Sequence, residues 1–368
     1  MGSFTRLQVL ESITPEFHQE LPEKLLAHVF QPEAGLEQCM GWCSYVDPMS
    51  DTWDGDDVFV DTSYPRWGFR IDTRRVPSAL LKKEVQSVIK QELRKTGAMF
   101  ISRERKAEIQ EQVKLHLLDK ALPVPETFKV VWDIEHDFVY INTTSEKKLE
   151  CFTAFFLDKL GFTLLPYTPY DYARKEFPDR EVDIAQYVET DFTGKGKITQ
   201  DTQQYLATDF LTWLWYRSDT DAVFMPSAAL DMITLSVEQN ITVEGYENAT
   251  KDCTTSSGLL SPLSEARYGL KAGKSVVKIQ LCLDTVKYGI FKVSLKAKDA
   301  GYFAVKLPKI AKEKGEEPDE GADFILKFDF LKALIEFIDA LYHQFLTLRL
   351  NGEWDTTSAK IKDWIEQF

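Results

Sequence analysis

From Phe291 to Lys298 apolar and polar residues alternate without a break: Phe291, Val293, Leu295 and Ala297 against Lys292, Ser294, Lys296 and Lys298. Successive strand side chains point to opposite sides of a sheet, so only an extended strand with one buried and one open side keeps this pattern. Val276–Leu283 and Tyr302–Leu307 read as its neighbours, and in the latter Phe303, Val305 and Leu307 alternate with Lys306. The pattern predicts a one-sided antiparallel sheet with lysines on its outer face. Lysines spaced along such a face can meet successive phosphates without reading bases. They also serve as plain protection of a solvated sheet against aggregation.

The rest of the chain supplies strands and helices in runs rather than strict alternation, which predicts an α+β fold. Strands are expected over 4–10 and 41–46, a helix over 15–30, a hairpin over 128–141 and a helix over 145–160 ended by Gly161. Residues 77–122 read as two long helices, or one broken at Gly97, stopped by Pro123 and Pro125. The Pro-, Asp- and Tyr-rich segment 166–197 reads as irregular. The aromatic helix 208–216 (Phe210, Trp213, Trp215, Tyr216) reads as core rather than a base-stacking platform. Helices over 324–348 and 356–368 close the chain. The domain reading is an N-terminal α/β region, 1–166, with the helical arm 77–122; a linker and Trp-rich insertion, 167–262; and a basic sheet with C-terminal helices, 263–368.

Charge separates these regions. The 368 residues carry a net charge of −14, which excludes a globally basic nucleic-acid binder. Between Glu265 and Lys314, however, twelve Lys/Arg face four acids, an excess of eight positive charges. Five cysteines, an odd number without metal-ligand spacing, fit buried thiols in a reducing cytoplasm. The pattern shows neither a signal peptide nor a membrane span. Gly269-Leu-Lys-Ala-Gly-Lys-Ser275 has three residues between its glycines where a phosphate loop needs four, and a strand pattern follows it. Glu135-His136-Asp137 reads as a hairpin turn, and the acidic stretch Asp51–Asp61 as a solvated loop without the calcium-loop pattern. No His pair, GxSxG or GxGxxG suggests catalysis. The expectation is a non-enzymatic protein without cofactor or metal.

Several blocks occur in a family-like order. They are Met40-Gly41-Trp42 followed by Pro48-Met49, Val76-Pro77-Ser78, Leu117-Leu118-x-x-Ala121, Lys147-Lys148 with Leu160-Gly161, Ala272-Gly273-Lys274, and Ala322-Asp323-Phe324-Ile325-Leu326. In this order the chain resembles the RdgC family of recombination-associated DNA-binding proteins. The resemblance implies an extended, ring-forming protomer and a homodimer with a positive central hole. It also implies duplex DNA bound with little sequence preference and restraint of a RecA-type recombinase. The location implied is cytoplasmic and nucleoid-associated, with no membrane partner. Lys274, Lys278, Lys292, Lys296, Lys298, Lys306 and Lys309 are then the candidate DNA contacts. Leu117, Leu118, Lys120 and Leu122 belong to the candidate dimer arm, where Asp119 and Leu122 replace the family's Pro and aromatic residue. The competing expectation is an acidic protein-interaction module, a DNA mimic or recombination-protein binder. It would use Asp54, Asp56, Asp57 and the run Glu313–Glu320.

Overall fold

The computed structural model describes the chain except residues 1, 34, 51, 60–63, 181–183, 185–187, 196–201, 226–229, 248–249, 258–262, 298–300, 310–319 and 368. In chain order its elements begin with β1 (Phe4–Val9), α1 (Pro15–Leu26), β2 (Gln38–Cys43), β3 (Arg66–Thr73), α2 (Ser78–Thr96) and α3 (Arg103–Lys120). Next come β4 (Val124–Asp133), β5 (Phe138–Ile141), α4 (Glu146–Leu160), β6 (Leu164–Pro166), α5 (Pro169–Glu176) and α6 (Thr202–Thr220). Then follow β7 (Val223–Phe224), β8 (Ile233–Glu247), β9 (Thr250–Ser257) and α7 (Ser264–Lys271). The chain ends with β10 (Ser275–Thr285), β11 (Gly289–Lys296), β12 (Gly301–Lys306), α8 (Glu320–Leu350) and α9 (Trp354–Glu366). The fold is α+β with antiparallel strand pairing. The chain divides into one compact unit of residues 9–141 and 149–164, and another of residues 1–8, 142–148 and 165–368.

The first unit is organised around tryptophan. Its strands run in the order β2-β3-β4-β5. Trp42, Trp67, Phe69 and Trp132 bury completely on one side of this sheet. Phe152, Phe155 and Phe156 recur at helical spacing on α4 and meet them, with Trp42 to Phe155 at 4.7 Å and Trp132 to Phe156 at 5.5 Å. Gly41 is required here: a Cβ on it would stand 2.3 Å from the Cα of Phe30. The backbone of residues 28–30 binds Trp42 through Phe30 N to Trp42 O (2.8 Å) and Trp42 N to His28 O (3.0 Å). The 77–122 region is two helices. Gly97 ends α2 at a left-handed φ of 68°, and the Ser102 hydroxyl accepts from Arg105 N to start α3.

The second unit carries the sheet β1-β12-β11-β10-β8-β7, with β9 on the other edge of β8. Ile279, Leu281 and Leu283 of β10 and Phe291 and Val293 of β11 are fully buried. Phe291 meets Phe337 of α8 at 6.0 Å. The aromatic helix is core, as expected: Phe210, Trp213 and Trp215 are all buried.

Three local expectations need correction. The 166–197 segment contains a regular helix, α5. Thr168 and Asp171 form a reciprocal capping box and Pro169 takes the first helical position, signals outweighed in the reading by Pro and Tyr content. Strand alternation fails at β12. Ala304 has φ 49°, and the pairing slips by one residue between Ser294–Phe303 and Lys292–Lys306. This bulge buries Tyr302 and Val305 and turns Phe303 to the open side. Asp57 is not a solvated acid. Its carboxylate accepts from the Ser44 hydroxyl (2.6 Å), the Tyr45 and Val46 amides (2.9 and 3.1 Å) and the Trp53 indole (2.6 Å).

Candidate nucleic-acid interface

The register of three strands assembles the lysines. Lys278 of β10 lies directly opposite Lys296 of β11, and Lys292 of β11 directly opposite Lys306 of β12. Directly opposed residues share a face, so these four lysines form two Lys–Lys pairs on one side of the sheet. The pairs stand four residues apart on β11, about 13 Å at ~3.3 Å per residue. Ser294 lies between them and is buried beneath their stems.

Two of the four have partners within the protein. Lys292 forms an ion pair with Glu238 of β8, whose hydrogen bond and charge hold the ammonium above its ordinary value. The Lys296 ammonium sits 3.8 Å from the centre of the Phe303 ring, the residue that the Ala304 bulge turned outward. Among the described residues Lys278 and Lys306 have no ion-pair partner. Lys309 is exposed three residues beyond β12, and Lys298 lies outside the described residues. Lys274 sits apart from the four, in the turn between α7 and β10. Its ammonium donates to the Thr254 hydroxyl at 2.7 Å, and its stem packs over Gly245.

Glu238 was absent from the expectation, although its signal is legible. Ile233, Leu235 and Val237 alternate with Thr234, Ser236 and Glu238, the same period-two pattern as in β11. What could not be read was that β8 pairs with β10.

The arm residues divide. Leu118 is 2% exposed and packs within its own protomer. Leu117 is half-buried, Lys120 is exposed, and Leu122 is 86% exposed just past α3. At the turn between the two helices Met99 and Phe100 are 93% and 83% exposed. Arg105 ties the hairpin together through both Glu92 carboxylate oxygens at 2.7 and 3.1 Å.

Comparison with known families gives one match, over residues 7–176, to the family described as "Putative exonuclease, RdgC". Residues 7–176 are similar to the RdgC family. The RdgC match takes in the Met40-Gly41-Trp42 strand and the whole α2–α3 hairpin, and it stops at Glu176, the last residue of α5. The lysine-bearing strands lie beyond it. No individually curated protein matches the chain. The family description raises catalysis, and the acids of the matched region bear on it. Among the described residues no three His, Cys, Asp or Glu side chains come together to hold a metal ion. Asp133 is buried and accepts from the His136 amide and ring, which makes this group a turn anchor. The Gly269–Ser275 segment leaves the end of a helix and enters a strand, the reverse of the loop-to-helix order that aims amides at phosphate. Among the described residues no helix is long and apolar enough to cross a membrane.

Proposed function

We propose that this chain binds duplex DNA without reading its sequence and acts in RecA-type homologous recombination, as a homodimer whose two protomers close a ring around the duplex. The similarity of residues 7–176 to the RdgC family supports the recombination role. The observation that carries the DNA contact is the pair of directly opposed lysines, Lys278–Lys296 and Lys292–Lys306. Like charges placed opposite each other across strands destabilise a sheet. Glu238 and the Phe303 ring offset one charge of each pair, and a phosphate ligand relieves the repulsion that remains. Their spacing of about 13 Å is close to the ~12 Å width of the major groove, so each pair can meet a different backbone flanking it. Lys309 adds positive charge beyond β12, and Lys274 contributes field rather than contact.

The net acidity of the chain as a whole suits this reading, because it weakens phosphate binding away from locally basic segments. The hairpin supplies the second copy's contact through its apolar tip. The role is binding rather than cleavage, and the location is cytoplasmic and nucleoid-associated.

Reversing Lys278, Lys292, Lys296 and Lys306 to Glu is expected to abolish duplex retention in a gel-shift assay while thermal melting stays cooperative. A folded quadruple variant that still binds DNA would sink the assignment. Duplex cleavage by the wild type in Mg²⁺ would replace binding with nuclease chemistry.

A further inference from the structure

Phe303 stands in the middle of the lysine patch. It lies directly opposite Ser294, the residue between Lys292 and Lys296 on β11. Phe303 and Lys306 are three residues apart, and a regular strand turns residues at an odd separation to opposite sides. The extra residue, Ala304, brings both to the side that carries Lys292 and Lys296. Ala304 keeps a left-handed φ of 49°, an uncommon conformation for a residue with a Cβ. The N-terminal residues hold it there. The Ala304 amide donates to the Ser3 hydroxyl at 3.0 Å, and the Val305 amide donates to the Gly2 carbonyl at 2.7 Å. Gly301 leaves room for the ring, because a Cβ there would stand 3.2 Å from Phe303 Cε2 and 2.8 Å from Thr144 Cγ2. A strained residue fixed by its surroundings points to a use for the side chain it aims.

The ring and the carboxylate restrain their lysines in different ways. Glu238 is an anion, and it must release Lys292 before a phosphate takes its place. The uncharged Phe303 ring attracts the Lys296 ammonium, 3.8 Å from its centre, and brings no negative charge to compete with a phosphate. An ammonium carries three N–H donors, so a ring on one side leaves donors for an oxyanion on the other. A lysine loses rotamer freedom when a phosphate fixes it, and the ring removes part of that freedom beforehand. We infer that Phe303 is a positioning residue of the DNA contact, which acts through Lys296 and is aimed by the Ala304 bulge. The inference rests on the DNA reading above and deepens it, by naming the lysine that is set in place before the duplex arrives.

The test is a double-mutant cycle on duplex affinity, read by fluorescence anisotropy over a salt series, with Phe303→Leu, Lys296→Ala and the two combined. Phe303→Leu is expected to weaken duplex binding about threefold, the scale of one exposed cation–π contact. Lys296→Ala should lower the log–log salt slope by about 0.9, one phosphate contact. The double variant should bind no more weakly than Lys296→Ala, because the ring then has no ammonium to position. Phe303→Tyr keeps a ring face and should bind as the wild type does. Wild-type affinity in Phe303→Leu, or losses that add in full in the double variant, overturns the positioning role and leaves the lysine patch standing. Failure of the wild type to bind duplex at low salt overturns the DNA reading, and the positioning role falls with it. A further measurement needs no change at the ring. In wild-type protein with isotope-labelled lysine, the Lys296 ε-methylene resonance, identified by its loss in Lys296→Ala, should be shifted upfield by the ring current and stay shifted when duplex binds. An ordinary position, or loss of the shift on binding, overturns the role even where Phe303→Leu does not fold.

Discussion

Glu238 sets the resting state of the lysine patch. It pairs with Lys292 and competes with any phosphate for that ammonium. Both side chains are about one-third exposed, so solvent screens the pair and it is easily exchanged. Glu238→Gln is therefore expected to tighten duplex binding a few-fold at moderate salt, read by fluorescence anisotropy. Weaker binding by the variant would remove Lys292 from the contact.

Asp209 works at the same scale and by the opposite physics. It is buried on α6, accepts from Thr190 N (3.2 Å) and Oγ1 (2.7 Å), and faces Arg349 at 3.5 Å with Glu189 nearby. Burial lifts its carboxyl from 3.8 to about 7, against the opposing pull of Arg349. A folded-state value above the unfolded one means that this group's contribution is complete below the unfolded value and is lost as pH rises through about 7. The melting temperature should fall between pH 5 and 8, and Asp209→Asn should flatten that fall. An equally steep fall in the variant would place its origin in another group.

At the scale of elements, the α2–α3 hairpin shows how far helical periodicity reaches. Leu80, Leu81, Val85, Val88, Ile89 and Leu93, and then Ile109, Val113, Leu117 and Leu118, recur at helical spacing, and of these the hairpin buries Val85, Ile109 and Leu118. Periodicity does not say whether an apolar side chain turns toward its own protomer or away from it. Leu118 turns inward, while Met99 and Phe100 stand in the connecting turn, where no period exists to flag them. Met99→Ser with Phe100→Ser is expected to shift the protein from dimer to monomer by light scattering with little change in melting temperature. Leu118→Ala should instead cost about 2–4 kcal/mol of stability without a selective effect on assembly. The reverse pattern would move the dimer contact to the helix ends. Gly41 was legible as part of a block, but its necessity comes from the crossing of Phe30, which only the folded chain shows.

At the scale of the whole molecule, the net charge of −14 and the four-lysine patch make opposite demands that salt dependence resolves. Four phosphate contacts give a log–log salt slope of about −3.6, and eight, from two protomers on one duplex, about −7. The steeper slope on a covalently closed plasmid is expected, with retention on the circle at a salt concentration that strips the linearised form. The shallower slope, or equal loss from circle and line, would mean a single protomer docked on one side of the DNA.

Sequence alone determined the faces. Period two in β11 divided its apolar residues from its lysines, because pleating leaves a strand residue only two directions. The burial tendency of large aromatic side chains placed Trp213 and Trp215 in the core, because burying large apolar area outweighs any use of their rings at the surface. The tertiary structure decided what those faces meet. Register set Lys278 against Lys296 and Lys292 against Lys306, and the Ala304 bulge broke the alternation that placed Phe303 with the core. Strand β8 brought Glu238 to Lys292 from 54 residues away. Packing joined Arg6 to Asp339 in an ion pair, 333 residues apart. Local pattern encodes which way a side chain points, whereas partners distant in sequence are chosen by packing and by the hydrogen-bond register between strands.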